Sequence, residues 1–358
     1  MKKNDLDTPS LLVDLDIMEK NMNRMAKFAS ECGVNLRPHV KTHKVPEIAK
    51  KQLAAGAKGV CLQKLSEAEV FASHGIDDIF ITNEIVGDQK YERLAELADQ
   101  IHLGVATDNT EVVKQMGKAC RNEGSELDVY VDIDVGMHRC GVDPKRAASL
   151  AKEVSSEKSL ILKGLMGYEG HVGSGKTRAE RLRLANEAMR TVADAKRSIE
   201  RNGIEVEVVS VGSSTSTWVT AKHPDVTEVQ PGMYLFNDGG LVDNDVATLS
   251  DCALTVVTTV MSKTSDEHAV VDAGSKAFQW DQGIFPRTRS RGVKMVKFSE
   301  EHGWLQLSGK GKDVRVGDRL EFIPQHCCTC INQHDELVGI RSGRVEKVWP
   351  VVARGKMK

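Results

Sequence analysis

Leu127-Asp-Val-Tyr-Val-Asp-Ile-Asp134 shows the pattern that decides the fold, a short apolar run that ends among polar residues. The run has the length of a strand and is rich in β-branched and aromatic side chains. A stretch of helical period follows at residues 144–154, and a second apolar run begins at residue 161. A strand, a helix and a strand in this order predict two parallel strands joined by a right-handed crossover.

The same unit recurs along most of the chain. Candidate strands lie at residues 34–40, 59–63, 78–82, 101–106, 127–134, 161–168, 206–211 and 227–236. Candidate helices lie between them, at residues 46–55, 66–74, 88–98, 110–122, 144–154, 177–201 and 215–221. Eight such units predict an α/β fold with a closed (β/α)8 TIM-type barrel, and an open doubly wound sheet is the alternative.

The pattern changes near residue 249. Short apolar runs at residues 253–260, 269–273, 319–323 and 343–348 are separated by turn residues, without a long helical period. An early run at residues 11–15 precedes a helix at 17–31 and resembles these strands. We therefore predict a barrel domain at residues 17–248 and a C-terminal all-β domain at residues 249–358, which residues 1–16 join.

Composition excludes several classes of protein. A formal net charge of −2 gives no basic field for nucleic acid. No apolar run approaches the roughly 20 residues that cross a bilayer, so no membrane partner is expected. Lys2 and Lys3 precede polar residues rather than an apolar signal segment, and the eight Cys do not form a secreted disulfide framework. We expect a cytoplasmic protein with reduced thiols.

The first strand ends in Arg37-Pro-His-Val-Lys-Thr-His-Lys44. Functional groups of a parallel barrel lie where its strands end. A lysine held there, partly desolvated and beside other cations, has its neutral amine favoured, and a neutral amine can bond covalently to a carbonyl. A basic loop in solvent is the alternative.

Two further strand ends carry polar groups of interest. Ser210-Val-Gly-Ser-Ser-Thr-Ser216 follows the seventh strand, where small residues and backbone N–H groups suit a phosphate; an ordinary turn is the alternative. Gln230-Pro-Gly-Met-Tyr234 places Gly232 and a tyrosine hydroxyl near the eighth strand. Arg139, after the fifth strand, could hold an anionic oxygen, and His171, after the sixth, could exchange protons near neutral pH.

His326-Cys-Cys-Thr-Cys330 follows a strand of the β domain. In an extended chain residues i and i+2 point the same way, so His326 and Cys328 could share a divalent ion and leave positions open for water or substrate. Cys327 and Cys330 could instead be a redox pair, although we predict no helix start there. A buried cysteine cluster without function is the third possibility.

Together these segments resemble the fold type III pyridoxal-phosphate enzymes, in particular the D-threonine aldolase and D-serine dehydratase group, and more distantly alanine racemase. The resemblance runs almost end to end. The segments that carry it are residues 8–16, 37–44, 63–69, 134–141, 231–238, 271–276 and 324–332.

The resemblance implies a homodimer that binds pyridoxal 5'-phosphate (PLP) and a divalent metal (Zn, Mn or Mg). It implies Lys41 as the lysine that carries PLP, with His171 as a second catalytic residue on the substrate side. It implies His326 and Cys328 as the metal ligands. The cofactor-binding positions that it implies, besides Lys41, are Arg139, Tyr168, Gly212, Ser213, Ser214, Gly232 and Tyr234.

The implied reaction is retro-aldol cleavage of a D-3-hydroxy amino acid to glycine and an aldehyde. Aldolases of the group resemble His-x-Asp at the metal and dehydratases resemble His-x-Cys, so Cys328 indicates dehydration to a 2-oxo acid and ammonia. Residues 331–336 and 348–356 resemble the aldolases instead, and we favour the aldolase. A racemase and a non-catalytic PLP-binding protein are the remaining alternatives; the second tends to lack the β domain.

Overall fold

The computed structural model describes all residues, Met1–Lys358, and the chain divides into two compact units. The barrel unit comprises Met25–Lys41, Pro46–Gly232 and Gly355–Lys358. The β unit comprises Met1–Arg24, Thr42–Val45 and Met233–Arg354. This grouping differs from the predicted division at four places: residues 17–24, Thr42–Val45 and residues 233–248 group with the β unit, and Gly355–Lys358 groups with the barrel unit.

Eight parallel strands form one sheet in the barrel unit, and each lies beside its neighbour in the chain, except that the first lies beside the last. Lys58 N donates to Leu36 O and Cys61 N donates to Pro38 O, both at 2.9 Å, so the two ends of the sheet meet. The predicted (β/α)8 barrel is confirmed. Its strands are Asn35–Leu36, Val60–Leu62, Asp78–Glu84, His102–Thr107, Leu127–Asp132, Leu160–Gly167, Val208–Val211 and Glu228–Val229.

An ion-pair cluster holds the short first strand in place. Arg37 is 2% exposed, and its Nε lies 2.9 Å from Glu228 Oε2 on the last strand. A second ion pair joins Arg37 to Asp78, at the start of the third strand. A buried guanidinium stays charged and satisfied here because carboxylates from two other strands surround it.

Helices connect the strands, and they bury apolar residues, as Asp88–Gln100 does with Tyr91, Leu94, Ala95 and Leu97. Asn109 caps one of them, since its Oδ1 accepts a hydrogen bond of 2.8 Å from Glu111 N. None of the helices is long and apolar enough to span a membrane. The helices are Leu15–Cys32, which precedes the first barrel strand, and Pro46–Ala54, Leu65–Ser73, Asp88–Gln100, Thr110–Glu123, Ala147–Ser156, Arg178–Glu200 and Thr217–Thr220.

A layer of side chains fills the barrel. Phe80 and Tyr130 stack with ring centroids 4.0 Å apart. The interior is therefore packed, and the fold offers its chemistry at the strand ends. The layer consists of Cys61, Phe80, Ala106, Tyr130, Met166 and Val208, one from each of six consecutive strands.

The β unit is built on a mostly antiparallel sheet of nine strands. Ser10–Asp14 pairs antiparallel with Leu254–Ser265 and parallel with Glu336–Arg341, which confirms that the early strand joins the C-terminal sheet. Its short helices are Gly239–Asp243, Ser275–Phe278 and Cys327–Ile331. Its other strands are His268–Val271, Arg287–Thr288, Val293–Phe298, Gly303–Leu307, Arg319–Ile323 and Arg344–Pro350.

Candidate active site

Three predicted residues meet at the carboxyl ends of the barrel strands. Lys41 lies in the turn Val40–Thr42 after the first strand, and its Nζ is 6.0 Å from the centroid of the Tyr168 ring. Arg139 Cζ is 5.1 Å from the same centroid. Tyr168 follows the strand Leu160–Gly167, and Arg139 lies in the loop after Leu127–Asp132. The closed barrel thus brings two cations from separate strand ends onto one aromatic ring.

His39 is a residue of this group that the sequence analysis left without a role. It is 6% exposed, and its Nε2 lies 2.9 Å from Gln63 Nε2 and 3.0 Å from Thr82 Oγ1. Burial lowers the pKa of His39, and the charges of Lys41 and Arg139 lower it further. The imidazole is therefore neutral, and the Nδ1 atom is buried without a hydrogen-bond partner.

Two acidic groups near Arg139, Asp132 and Cys140, have raised pKa values. Burial raises the pKa of Asp132, and the neighbouring Glu84 raises it further. Burial, together with a hydrogen bond to Glu84, raises the pKa of Cys140 to about 11. The positive charge of Arg139 opposes both rises, which shows that Asp132 and Cys140 lie near the guanidinium.

The predicted phosphate loop folds as a compact cluster. Gly212 has φ +98°, and a Cβ there would lie 2.8 Å from Thr217 Oγ1, so only glycine fits. Ser213 N donates to Ser216 Oγ at 3.0 Å, and Gly232 N donates to Ser214 Oγ at 3.2 Å. The helix that follows has only four residues, so its N-terminus adds no site of its own. The N–H groups of Ser213 and Gly232 have acceptors within the fold, and the phosphate site stays a prediction.

Glu169 holds this loop from the neighbouring strand end. It is fully buried, and it accepts hydrogen bonds from Gly212 N at 3.1 Å and from Ser216 Oγ at 2.6 Å. Glu169 lies between the candidate residues Tyr168 and His171 in the sequence, but it was given no predicted role. A charged residue between two candidate residues at a strand end was the signal.

His171 lies in the turn Gly170–Ser174, and burial lowers its pKa. Its Nδ1 is buried without a hydrogen-bond partner. A Cβ on Gly136, which has φ +109°, would lie 3.4 Å from His171 Nε2, so glycine leaves room for the ring. The neutral imidazole can accept a proton at neutral pH.

Tyr234 belongs to the β unit rather than to the barrel unit. It is 3% exposed in the turn Met233–Leu235. The last barrel strand, predicted to run to residue 236, ends at Val229. The assignment of Tyr234 to the phosphate site stays a prediction.

His326 and Cys328 are neighbours in the β unit, but not for the predicted reason. The chain is helical rather than extended at Cys327–Ile331, and His326 is the residue that precedes the helix. The two side chains nevertheless form a hydrogen bond. Burial lowers the pKa of His326, but this bond and the negative charge of Cys328 raise it to about 10 overall. Hydrogen bonds from Cys327, and then from His326, hold the pKa of Cys328 well below its usual range.

Cys327 and Cys330 begin and nearly end this helix, so the expectation that they do not lie at a helix start was wrong. Burial raises the pKa of both thiols. Two buried neutral thiols lack the thiolate that a redox pair needs, so the structure does not favour that alternative.

Asp281, which the sequence analysis missed, fixes the orientation of His326. Its Oδ2 lies 2.7 Å from His326 Nδ1, and its Oδ1 accepts a 3.0 Å hydrogen bond from Thr329 Oγ1. Because Nδ1 faces Asp281, Nε2 is the nitrogen that remains for a ligand. Thr42 Oγ1 lies 3.3 Å from Cys328 Sγ. The structure gathers no third His, Cys, Asp or Glu into a metal-binding cluster with the pair.

Comparison with known proteins identifies the family of the chain. The alanine racemase N-terminal domain matches residues 13–239, and a serine dehydratase domain matches residues 253–340. The chain is 36% identical to D-threonine aldolase of Arthrobacter sp. over 98% of this chain and 93% of that protein. It is 37% identical to 3-hydroxy-D-aspartate aldolase of Paracoccus denitrificans (strain Pd 1222), over 99% of this chain and 94% of that protein.

Solved structures also match the chain over almost its whole length. The crystal structure of D-threonine aldolase from Filomicrobium marinum has a TM-score of 0.95 and 37% identity, covering 99% of this chain and 98% of that one. D-threo-3-hydroxyaspartate dehydratase from Delftia sp. HT23 has a TM-score of 0.90 and 28% identity, covering 98% of each chain. The chain therefore belongs to the alanine racemase N-terminal domain family, in the group that contains the D-threonine aldolases and the D-serine and 3-hydroxyaspartate dehydratases.

Proposed function

We propose that the chain is a PLP- and divalent-metal-dependent lyase that cleaves D-3-hydroxy amino acids to glycine and an aldehyde. The observation that carries the proposal is the meeting of Lys41, Arg139 and Tyr168 at the barrel mouth, in a chain 36% and 37% identical to two aldolases.

The barrel residues fit PLP. The backbone at Gly212 packs against Thr217 Oγ1 more closely than a Cβ would allow, and a compact glycine-containing loop of this kind suits a phosphate. Lys41 Nζ and Arg139 Cζ lie 6.0 Å and 5.1 Å from the centroid of the Tyr168 ring, so two cations are available to an anionic cofactor. In this assignment Lys41 holds the cofactor covalently, and Gly212, Ser213, Ser214 and Gly232 hold its phosphate.

The chain's own residues then position the substrate and move its protons. PLP, when bound, supplies an electron sink for negative charge at the substrate Cα. Arg139 would stabilise an anionic oxygen of the bound cofactor. His171 Nε2 accepts the proton of the substrate 3-hydroxyl, which its neutral form allows.

The pair in the β unit fits a divalent ion with open positions. Nε2 of His326 is oriented by Asp281, and Cys328 has the lowered pKa of a thiolate ligand. Imidazole and thiolate favour Zn²⁺ over Mn²⁺ or Mg²⁺. Such an ion would lower the pKa of a bound hydroxyl.

Dehydration is the second candidate, and Cys328 is the observation that favours it. One solved relative, a D-threo-3-hydroxyaspartate dehydratase, is a cysteine-to-alanine mutant in a metal-free form, and another is a histidine-to-alanine mutant. The dehydratases are 28% identical or less, against 36–37% for the aldolases, so we place dehydration second.

Product analysis separates the two. The enzyme is incubated with D-threonine, PLP and a divalent metal, and the products are identified by chromatography. Glycine with acetaldehyde is the expected result, whereas 2-oxobutanoate with ammonia would establish the dehydratase. PLP binding without turnover of any D-amino acid would indicate a non-catalytic PLP-binding protein, and full activity after exhaustive chelation would favour a racemase. We also propose a cytoplasmic homodimer, which sedimentation and fractionation would test.

A further inference from the structure

The carboxylate of Glu169 accepts hydrogen bonds from two residues of the predicted phosphate loop. Gly212 N donates to its Oε2 at 3.1 Å, and Ser216 Oγ donates to its Oε1 at 2.6 Å. Glu169 therefore binds the first and last residues of the loop Gly212–Ser216. A residue that binds both ends of a loop fixes the loop's curvature before any ligand arrives.

The bonds within the loop depend on this anchor. Because Ser216 Oγ gives its proton to Glu169, its lone pairs are left to accept the N–H of Ser213 at 3.0 Å. Ser216 N donates in turn to Ser213 Oγ at 3.3 Å, which closes a ring between the two serines. Removal of the carboxylate would free the Ser216 hydroxyl to rotate and would loosen that ring.

The carboxyl group of Glu169 is fully buried, and so are the residues around it. Glu169, Ser216, Thr217 and Thr220 are each at most 1% exposed. Burial raises the pKa of Glu169, while hydrogen bonds from Ser216, Gly212 and Thr220 oppose that rise. A buried acid is costly, and it is retained where its hydrogen bonds define a conformation.

We propose that Glu169 is a positioning residue that preshapes the loop Gly212–Ser216 for the phosphate of the cofactor, without touching the phosphate itself. The inference rests on the proposed function, since it takes PLP as the ligand. It assigns a role to a residue that neither holds the cofactor covalently nor contacts the substrate.

The test compares PLP with pyridoxal, which lacks the phosphate. Dissociation constants of both are measured by absorbance titration of the apoenzyme, and their ratio isolates the contribution of the phosphate. In Glu169→Ala, we expect PLP affinity to fall about ten-fold or more and pyridoxal affinity to change little, since two hydrogen bonds to a charged group are lost. Glu169→Gln keeps the shape, and its amide oxygen can still accept from Gly212 N, but its amide nitrogen cannot accept from Ser216 Oγ; we expect a fall in the ratio smaller than that in Glu169→Ala.

Glu228→Gln is the matched control. Glu228 is also fully buried, but it bonds to Arg37 and Ser210 rather than to the loop. We expect it to lower the melting temperature and to leave the PLP-to-pyridoxal ratio unchanged. If Glu169→Ala does not fold, Glu169→Asp replaces it, because the charge remains while the oxygens withdraw by one methylene. The same fall in the ratio, smaller in size, is then expected.

Two results would overturn the inference. An unchanged ratio in Glu169→Ala or Glu169→Asp means that the loop keeps its shape without the anchor. Equal losses for PLP and pyridoxal mean that Glu169 has a general structural role. Failure of the proposed function looks different, because the wild-type apoenzyme would then show no preference for PLP over pyridoxal.

Discussion

The two regions that hold the predicted chemistry are built in different ways. At the barrel mouth, Lys41, Arg139 and Tyr168 come from three strand ends that are far apart in the sequence. In the β unit, His326 and Cys328 are two residues apart at the start of one short helix. The first group exists only because the sheet closes, whereas the second needs one turn of backbone and an orienting carboxylate. A distributed site can be predicted from topology, and a local pair only from its motif.

The largest effect is expected at the centre of the distributed site. Lys41→Ala should abolish the visible absorbance of lysine-bound PLP and lower kcat by about 10⁴-fold or more. Lys44→Ala is the control, since Lys44 Nζ lies 2.8 Å from Asn332 Oδ1 within the β unit. Absorbance spectra and steady-state rates of both variants test this assignment. A band that survives in Lys41→Ala and vanishes in Lys44→Ala would transfer the assignment to Lys44.

The second prediction concerns a proton rather than a covalent bond. Burial lowers the pKa of His171, so its neutral form persists below pH 6.5 and activity should fall only as pH drops beneath that value. His171→Asn should lower kcat by about 10²- to 10⁴-fold and remove this acid limb of the pH profile. Rates measured at constant metal occupancy between pH 5 and 8 test it. An acid limb that persists unchanged in His171→Asn would assign the proton to another group.

Changes in the local pair should separate metal binding from cofactor binding. His326→Ala should weaken binding of Zn²⁺ or Mn²⁺ by more than about 10²-fold and leave the PLP absorbance intact. Cys330→Ala is a matched control on the same helix, because Cys330 Sγ bonds to Ala277 O instead of to the pair. Calorimetric metal titration of the holoenzyme measures both variants. Equal metal affinity in His326→Ala and the wild type would remove the metal site from this pair.

The smallest effect is expected at Asp281, which contacts the predicted metal ligand His326 but is not itself a predicted ligand. Asp281→Asn keeps the size of the side chain but weakens its hold on His326 Nδ1, and metal affinity should fall about 10- to 100-fold. Asp266→Asn, the same substitution at an exposed aspartate of the β unit that lies 3.9 Å from Lys263 Nζ, should match the wild type. Nitrogen chemical shifts of His326 report its tautomer independently of turnover. A wild-type tautomer and affinity in Asp281→Asn would show that the pair orients itself.

Much of the barrel and its site follows from sequence pattern. The eight apolar runs predicted eight parallel strands, and the rule that chemistry lies at their carboxyl ends placed Lys41, Arg139 and Tyr168 correctly at one end. The assignment of these residues to PLP came from family resemblance, since neither spacing nor composition names a cofactor.

The missed residues depend on side-chain direction. Glu169, His39 and Asp281 acquire their partners only when a loop or turn has a particular conformation, which pattern does not encode. The same holds for the helix at Cys327–Ile331, where a predicted extended chain gave the right pair for the wrong reason. Strands such as Val293–Phe298 escaped prediction because lysines interrupt their apolar residues and only Met295 is fully buried.

The ion pairs of Arg37 have a consequence for motion. Few backbone hydrogen bonds cross the junction between the first and second strands, and a sheet exchanges its amide protons fastest where it opens most easily. Arg37 stabilises this junction through ion pairs with Asp78 on the third strand and Glu228 on the last strand. The turn that carries Lys41 begins three residues later. The ion pairs of Arg37 therefore oppose local opening of the barrel between its first and second strands. They also restrict the movement of the turn that carries Lys41.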